Sequence, residues 1–176
     1  MNTRLGLCSA YSLLFGVHSP KRLIEKSFEY GVKTASVCDI NNLYGVHSFL
    51  EAAKEAGIRP VIGAALTKGE SSRPAVYCFV ENRAGFARLC EILTERNKDI
   101  PAFDPVSRLR ENSGGLILAS SNGETLRNLA GWAKRLYAAI TPDDSGGLGP
   151  HKTLPLPLAF LDTSAFLDAS DMGIYE

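Results

Sequence analysis

The chain has 176 residues, the length of a single domain with one hydrophobic core. Its 19 Lys and Arg residues balance its 19 Asp and Glu residues, so a formal net charge of zero excludes binding to DNA or to an anionic membrane by net charge alone. Only three histidines are present, at His18, His47 and His151, which leaves few imidazole ligands for a multinuclear metal site.

The first part of the chain alternates short apolar runs with amphipathic segments. An apolar run at residues 5–8 is followed by a loop at 9–18. Ser19 and Pro20 are typical of a helix start, because a serine N-cap satisfies one backbone N–H group and a proline removes another. We predict a first helix from there to Gly31. Further elements follow in chain order: a strand at 34–38, a polar turn at 39–42, a helix from 46 to 57 and a strand at 60–66.

The second part continues the alternation. A polar connection at 68–74 leads to a strand at 75–80, and apolar spacing across 86–93 indicates a helix. The remaining predicted elements are a short helix at 106–110, a strand at 115–119, a helix across 126–133, a strand at 136–140 and a strand at 156–161. Glycines and prolines in residues 142–154 predict a flexible loop before the last strand.

This alternation predicts a mainly parallel α/β sheet with helical crossovers, either doubly wound or barrel-like. In both architectures, functional groups lie at the carboxyl ends of the strands. The candidate functional segments are therefore the turns after the strands, at residues 8–12, 39–42, 63–65, 120–123, 141–144 and 162–165.

Two residues in these turns could carry chemistry. The Cys8 thiolate could be a nucleophile or a metal ligand, but no histidine follows closely enough to act as its base, which favours an inert thiol. Asp39 could bind a hard cation or act as a base. Because Asn41 and Asn42 follow it, Asp39 also suits a capped turn into a helix, and we favour this structural role.

Other polar turn residues are weaker candidates. Gly115 together with residues 120–123 could surround a phosphate with backbone amides, but neither a Walker A nor a G-x-G-x-x-G motif is present. Asp143, Asp144 and Asp162 lie near strand ends, and the first two occur in a glycine-rich loop where solvated carboxylates are usual. No acid and base pair emerges from these turns.

The histidines and the single tryptophan suggest no binding site. None of the three histidines lies at a predicted strand end, and each is expected on the surface rather than as a ligand. Trp132 and Tyr137 are single aromatic residues and do not form the basic and aromatic series that binds single-stranded nucleic acid, so we expect both to pack against the protein. The four cysteines lack C-x-x-C spacing, and the chain lacks a signal-peptide pattern and a transmembrane stretch. These features predict a reduced, cytoplasmic protein.

Four sequence motifs carry a family resemblance. Residues 5–14 read LGLCSAYSLL, residues 38–45 read CDINNLYG, residues 56–65 read AGIRPVIGAA and residues 156–167 read LPLAFLDTSAFL. They resemble the motifs L-H-x-H-S-x-Y-S-L-L, T-D-H-x-N-L-x-G, A-G-I-x-P-I-x-G-x-E and L-P-L-V-A-T-N-D-x-H-x-L of the polymerase-and-histidinol-phosphatase (PHP) domain that opens the alpha subunit of bacterial DNA polymerase III. The resemblance spans nearly the whole chain and is strongest over residues 4–65.

The departures from these motifs fall on the positions that hold metal ions in active PHP domains. Gly6, Cys8 and Ile40 stand where the family has histidine, Ala65 where it has glutamate, Thr163 where it has aspartate and Ala165 where it has histidine, while Asp39 is kept. A catalytic metal cluster needs several oxygen or nitrogen ligands at one point. We therefore expect these seven positions to be a vestigial site with no metal, no cofactor and no catalytic residue.

The resemblance implies a distorted TIM-like barrel of the (βα)7 type, in one domain over residues 1–176. It also implies that this is the N-terminal domain of a longer polymerase chain. Degenerate PHP domains of this family support the polymerase and bind a separate proofreading exonuclease. The expected function is therefore a catalytically inactive module of DNA replication, with the exonuclease subunit and the polymerase domains of the same chain as partners and with no strong DNA binding of its own.

Two other functions stay open at this point. A phosphoesterase or 3′-5′ exonuclease could use a rebuilt metal site made of Cys8, Asp39 and Asp162. A small-molecule-binding α/β protein is compatible with the fold class alone.

Overall fold

The computed structural model describes residues 2–142 and 154–163. The strands of this part of the chain are β1 (Thr3–Leu7), β2 (Thr34–Ile40), β3 (Arg59–Thr67), β4 (Pro74–Val80), β5 (Leu116–Ser120), β6 (Leu136–Ile140) and β7 (Leu158–Phe160). Its helices are α1 (Pro20–Glu29), α2 (Val46–Glu55), α3 (Arg83–Lys98), α4 (Pro105–Glu111) and α5 (Gly123–Leu129). The loop predicted at 142–154 lies almost wholly outside the described residues.

The strands form one sheet in the order β1 to β7. The pairs β1–β2, β2–β3, β5–β6 and β6–β7 are parallel, as predicted. β4 is antiparallel to both β3 and β5, which the simple strand–helix alternation did not anticipate. The connection between β3 and β4, residues 68–73, is too short for a parallel crossover, which needs a dozen or more residues, so the chain turns back on itself.

The sheet curls into a nearly closed barrel, and its two faces bury different side chains. The inner face packs on itself in one apolar cluster whose members come from β2 to β6 and from the residue after β7: Cys38, Ala65, Tyr77, Phe79, Ala119, Ala139 and Leu161. The outer face packs against helices in two clusters, one with α1 and α2 and one with α3, α4 and α5. Strand alternation places successive residues in different clusters.

The barrel has an unsealed seam between β1 and β7. Within the described residues no strand ladder joins these two strands. The Asp162 amide donates to the Leu5 carbonyl at 2.6 Å, and Arg4 forms an ion pair with the Asp162 carboxylate across the seam. This ion pair links the start of the sheet to its end.

Local sequence explains where several helices begin. Ser19 caps α1 by accepting a hydrogen bond from the Arg22 amide, and Pro20 occupies the first helical position, as predicted. Asn82, Asp104 and Asn122 cap α3, α4 and α5 in the same way. None of the helices in residues 2–142 and 154–163 is long and apolar enough to cross a membrane.

Two of the predicted turns are parts of strands. Asp39 and Ile40 are the last residues of β2, and the turn begins at Asn41, whose φ of 58° is in the left-handed region that asparagine tolerates. Residues 63–65 lie inside β3 and pair with both β2 and β4. Pairing with β3 extends β2 to Ile40, and pairing with β2 and β4 keeps residues 63–65 within β3.

Candidate functional site

Positions of the predicted vestigial site lie together at the carboxyl-terminal end of the barrel. Ile40 on β2 is the register partner of Ala65 on β3. Gly6 on β1 lies across the seam from the residues after β7, since a Cβ atom on Gly6 would be 3.2 Å from Leu161 Cβ and 3.7 Å from Thr163 Cγ2. The structure thus brings these motifs to one end of the barrel. Ala165 lies outside the described residues.

The side chains at these positions do not match the donor set of a metal cluster. Gly6, Ile40 and Ala65 provide no side-chain nitrogen, oxygen or sulfur. Burial, with a smaller contribution from the Asp39 charge and against a hydrogen bond with Ser12 that lowers it, raises the pKa of the Cys8 thiol to about 11, so this thiol is protonated at neutral pH. Within residues 2–142 and 154–163, no three His, Cys, Asp or Glu side chains are grouped to hold a metal ion. The described residues at these positions therefore do not fit the metal ions that the resemblance implies for active PHP domains.

Asp39 lies on the outer face of the barrel wall. Ala35 and Val37, which share its side of β2, pack against α1 and α2, whereas Cys38 packs in the barrel interior. The Asp39 side chain is buried and accepts hydrogen bonds from the Ser9 amide at 2.7 Å, from Ser9 Oγ at 2.8 Å and from Ser12 Oγ at 2.8 Å. Its carboxylate is thus used to hold the loop between β1 and α1.

These hydrogen bonds support a structural role for Asp39, but the segment that it stabilises is not the one that the sequence predicted. The sequence suggested that Asp39 caps the turn into α2. The N-cap of α2 is instead Gly45, and no side chain caps that helix. The segment that Asp39 stabilises lies about 30 residues earlier in the chain, so sequence proximity could not have identified it.

The segment held by Asp39, residues 9–18, is here named the rim loop. Ser12 Oγ accepts a hydrogen bond from the Ile40 amide at 2.9 Å, and the Ala10 amide donates to the His18 carbonyl at 2.8 Å. Gly16 packs so tightly on the loop that a Cβ atom there would be 1.9 Å from the Ser9 carbonyl oxygen. These contacts make the rim loop a rigid structure.

The rim loop presents apolar side chains to solvent at the same end of the barrel. Leu13 is 81% exposed and Leu14 is 90% exposed. Leu14 also has a φ of 69°, a strained backbone conformation for a leucine. Tyr11 and Tyr44 are exposed nearby, with Tyr11 packed against Gly45. Sequence reasoning missed this surface, because YSLL has the apolar content of an ordinary buried segment.

The residues of the alternative rebuilt site are not brought into one metal-binding group. Asp39 faces outward into the rim loop, and Asp162 pairs with Arg4 across the seam. Cys8, Asp39 and Asp162 therefore do not form a metal-binding cluster. The phosphate cradle, a weak candidate from the sequence, does not form, since Gly115 precedes β5 and Ser120 ends it, which puts them at opposite ends of the strand. The turn after β5 is instead an ordinary capped turn, in which Asn122 caps α5.

The structure confirms the expectations for two of the remaining sequence candidates and contradicts the expectation for a third. His47 is exposed and lies 3.4 Å from Glu51, which confirms a surface position. Tyr137 packs against the barrel interior, as expected. The expectation that Trp132 packs in the protein is wrong, because its side chain is 59% exposed. Asp143, Asp144 and His151 lie outside the described residues.

The fold and the position of these motifs define a class of protein: a nearly closed seven-stranded α/β barrel whose distinctive loops meet at the carboxyl ends of its strands. Residues 5–140 match the family model described as the PHP domain, which covers more than half of the chain. The chain belongs to the PHP domain family.

Comparisons with individual proteins agree with this family. The chain is 27% identical to the DNA polymerase III subunit alpha of Neisseria meningitidis serogroup B, over 98% of this chain and 18% of that protein. It is 32% identical to the error-prone DNA polymerase of Mycobacterium bovis, over 61% of this chain and 11% of that protein. The chain thus spans less than a fifth of the length of these relatives.

A solved structure confirms the fold. A two-domain protein from Bacteroides vulgatus, described as containing a predicted PHP-like metal-dependent phosphoesterase, aligns with a TM-score of 0.51. The alignment covers 80% of this chain and 44% of that one, at 8% sequence identity. Together with the sheet topology, this likeness confirms the barrel that the sequence resemblance implied.

Proposed function

We propose that this chain is a catalytically inactive PHP domain of a DNA polymerase III alpha-type protein. Its role is structural or protein-binding, within DNA replication. The observation that carries the proposal is the inner wall at the carboxyl-terminal end of the barrel, where Gly6, Ile40 and Ala65 stand at the family's ligand positions. The relatives named DNA polymerase III subunit alpha support the replication context.

The chemistry of phosphoester cleavage explains why these replacements matter. In metal-dependent hydrolysis the ions lower the pKa of a bound water and stabilise the charge that develops on the phosphoryl oxygens. Without several ligands at one point, neither effect is available. The one carboxylate kept in these motifs, Asp39, already accepts three hydrogen bonds from Ser9 and Ser12 on the outer side of the wall.

The rim loop supports the protein-binding part of the proposal. Two adjacent leucines, Leu13 and Leu14, are almost fully exposed on a loop that buried hydrogen bonds hold rigid. A rigid loop loses little conformational entropy when a partner covers it, so its apolar side chains can contribute most of their burial free energy to binding. The partners we propose are the polymerase domains of the same chain and a proofreading exonuclease subunit.

Metal analysis tests the inactive site. The purified chain is incubated with Mn²⁺ or Zn²⁺, desalted and analysed for bound metal, and its cleavage of single-stranded DNA is measured in parallel. We expect neither stoichiometric metal nor metal-stimulated cleavage. Two or more tightly bound ions per chain, or a cleavage activity that Cys8→Ala abolishes, would contradict the proposal.

Binding measurements with a rim-loop variant test the docking role. In the variant, Leu13 and Leu14 are both replaced by serine, and a matched control carries Phe28→Ser, which removes another exposed apolar side chain from α1. Calorimetry with the exonuclease subunit, and separately with the remaining polymerase domains, should show at least about tenfold weaker binding to one partner for the rim variant only. Equal binding by the wild type, the control and the rim variant would overturn this role.

A further inference from the structure

A second exposed surface lies at the amino-terminal end of the barrel, opposite the rim loop. We name it the Trp132 surface and define it by Arg110, Arg127, Trp132 and Lys134, all of which are exposed. Arg110 lies in the last turn of α4 and Arg127 in the last turn of α5. The chain then leads from these helices to the starts of β5 and β6, which places the surface at the amino-terminal end.

The Trp132 surface is centred on a preformed stack. The Arg110 guanidinium lies over the Trp132 ring, with its carbon 4.6 Å from the ring centroid. The Trp132 amide donates to the Leu129 carbonyl at 3.0 Å, and the Ala133 amide donates to the same carbonyl at 3.1 Å, so the backbone that carries the indole is fixed. Exposed tryptophan and arginine side chains held in this way are the residue types that dominate binding energy at protein interfaces.

The positive charges of this surface differ from those of the neighbouring arginines in whether they are paired with carboxylates. Arg108 lies 3.1 Å from Glu95 and 3.3 Å from Glu111, and Arg135 lies 3.0 Å from Glu81. Within the described part of the chain, Arg110, Arg127 and Lys134 form no ion pair with a carboxylate. Although the chain has a formal net charge of zero, the Trp132 surface thus carries three positive charges that are not paired with a carboxylate in the described part of the chain.

We propose that the Trp132 surface docks an acidic segment of a partner protein. Carboxylates of that segment would pair with the three cations, and an apolar side chain would cover the exposed indole. Single-stranded nucleic acid fits less well, because its binding sites use successive stacking aromatics along a continuous basic groove, and this surface offers one aromatic. The surface lies at the other end of the barrel from the rim loop, so the proposal is independent of the function proposed above.

Intrinsic fluorescence tests the proposal directly, since Trp132 is the only tryptophan in the chain. The chain is titrated with a short peptide of alternating glutamate and leucine, with the same peptide carrying glutamine in place of glutamate, and with an oligothymidylate of similar length. We expect saturable fluorescence changes with the glutamate peptide alone, and binding that weakens as salt is added.

Variants assign the binding to the surface. With a dye-labelled glutamate peptide, Trp132→Ala and the double variant R127E/K134E should each bind at least about tenfold more weakly than the wild type. The matched control Lys54→Glu reverses an exposed charge on α2 and should bind normally. No saturable binding, equal binding of the glutamine peptide, tighter binding of the oligothymidylate, or unchanged binding by the variants would overturn the proposal.

Discussion

The two faces of the barrel wall differ sharply at the carboxyl-terminal end, although they belong to the same short motifs. On β2, Asp39 faces outward and is held by Ser9 and Ser12, whereas the next residue, Ile40, packs with the apolar barrel interior. Three polar residues that match the family, Ser9, Ser12 and Asp39, meet on the outer face. Ile40 and Ala65, which the proposed function takes as replaced ligand positions, lie on the inner face.

This difference separates two roles within one motif. Ser9, Ser12 and Asp39 on the outer side hold the rim loop in place. Loss of their buried hydrogen bonds would destabilise the fold. The inner residues line an interior in which small or apolar side chains pack without any need for a metal. On the proposed function, the motif keeps its resemblance to the family through its outer residues, while the ligand positions on its inner face have changed.

The largest predicted effect is on the outer face. Asp39→Ala leaves the Ser9 amide and the Ser9 and Ser12 hydroxyl groups without their acceptor. We expect the free energy of unfolding to fall by about 4 kcal/mol, measured by urea denaturation. Asp104→Ala is the matched control; it removes the N-cap of α4 and should cost only about 1 kcal/mol. Equal losses of unfolding free energy in the two variants would show that the buried network stabilises the fold no more than an ordinary helix cap does.

The next effect concerns the inner face. Ala65→Glu restores the residue type of active PHP domains at a position that is 1% exposed and beside Tyr77 and Ile40. On the proposed function no metal cluster compensates the buried carboxylate, so we expect a loss of about 3 kcal/mol in unfolding free energy.

Ala65→Gln separates the two causes of this loss. The glutamine variant has a similar volume and no charge, so any loss that it shares with Ala65→Glu comes from crowding. The glutamate variant should recover part of its stability at acidic pH, because burial raises the pKa of a carboxyl group. A large rise of its melting temperature with added Mn²⁺ would show that the inner wall still supplies ligands.

The smallest predicted effect is a dependence of the fold's stability on pH that comes from the Cys8 thiol. Burial raises its pKa from an ordinary value of 9.0 to about 11, so the folded chain keeps a proton that the unfolded chain releases between these values. The contribution of Cys8 to stability is complete below pH 9 and is lost as the pH rises toward 11. At pH 10 this loss is about 1 kcal/mol relative to pH 7.

Comparison with Cys8→Ala isolates this contribution. The wild type and the variant are denatured with urea at a series of pH values from neutral to alkaline, and the variant should lose less stability over the series. Burial also raises the pKa values of Cys38 and Cys78, which both proteins keep. Identical pH dependence of the two proteins would mean that the Cys8 thiol ionises freely and could act as a ligand.

Much of the fold could be predicted from local sequence. Ser19 and Pro20 marked the start of α1, and apolar runs located the strands to within a few residues. The direction of β4 was not predicted, because a pattern of apolar residues defines a strand but not the direction in which it pairs. The resemblance to the PHP motifs identified the barrel, which neither composition nor periodicity distinguishes from a doubly wound sheet.

By itself, the sequence determined the family and the chemical identity of the side chains at its ligand positions, since both depend only on which residues are present. The tertiary structure decided what those residues do. Strand alternation turned Asp39 away from the barrel interior, and a loop about 30 residues away in sequence became its hydrogen-bond partner. Exposure was decided in the same way: Leu13, Leu14 and Trp132 have the composition of core residues, and only the packing of neighbouring elements leaves them at the surface.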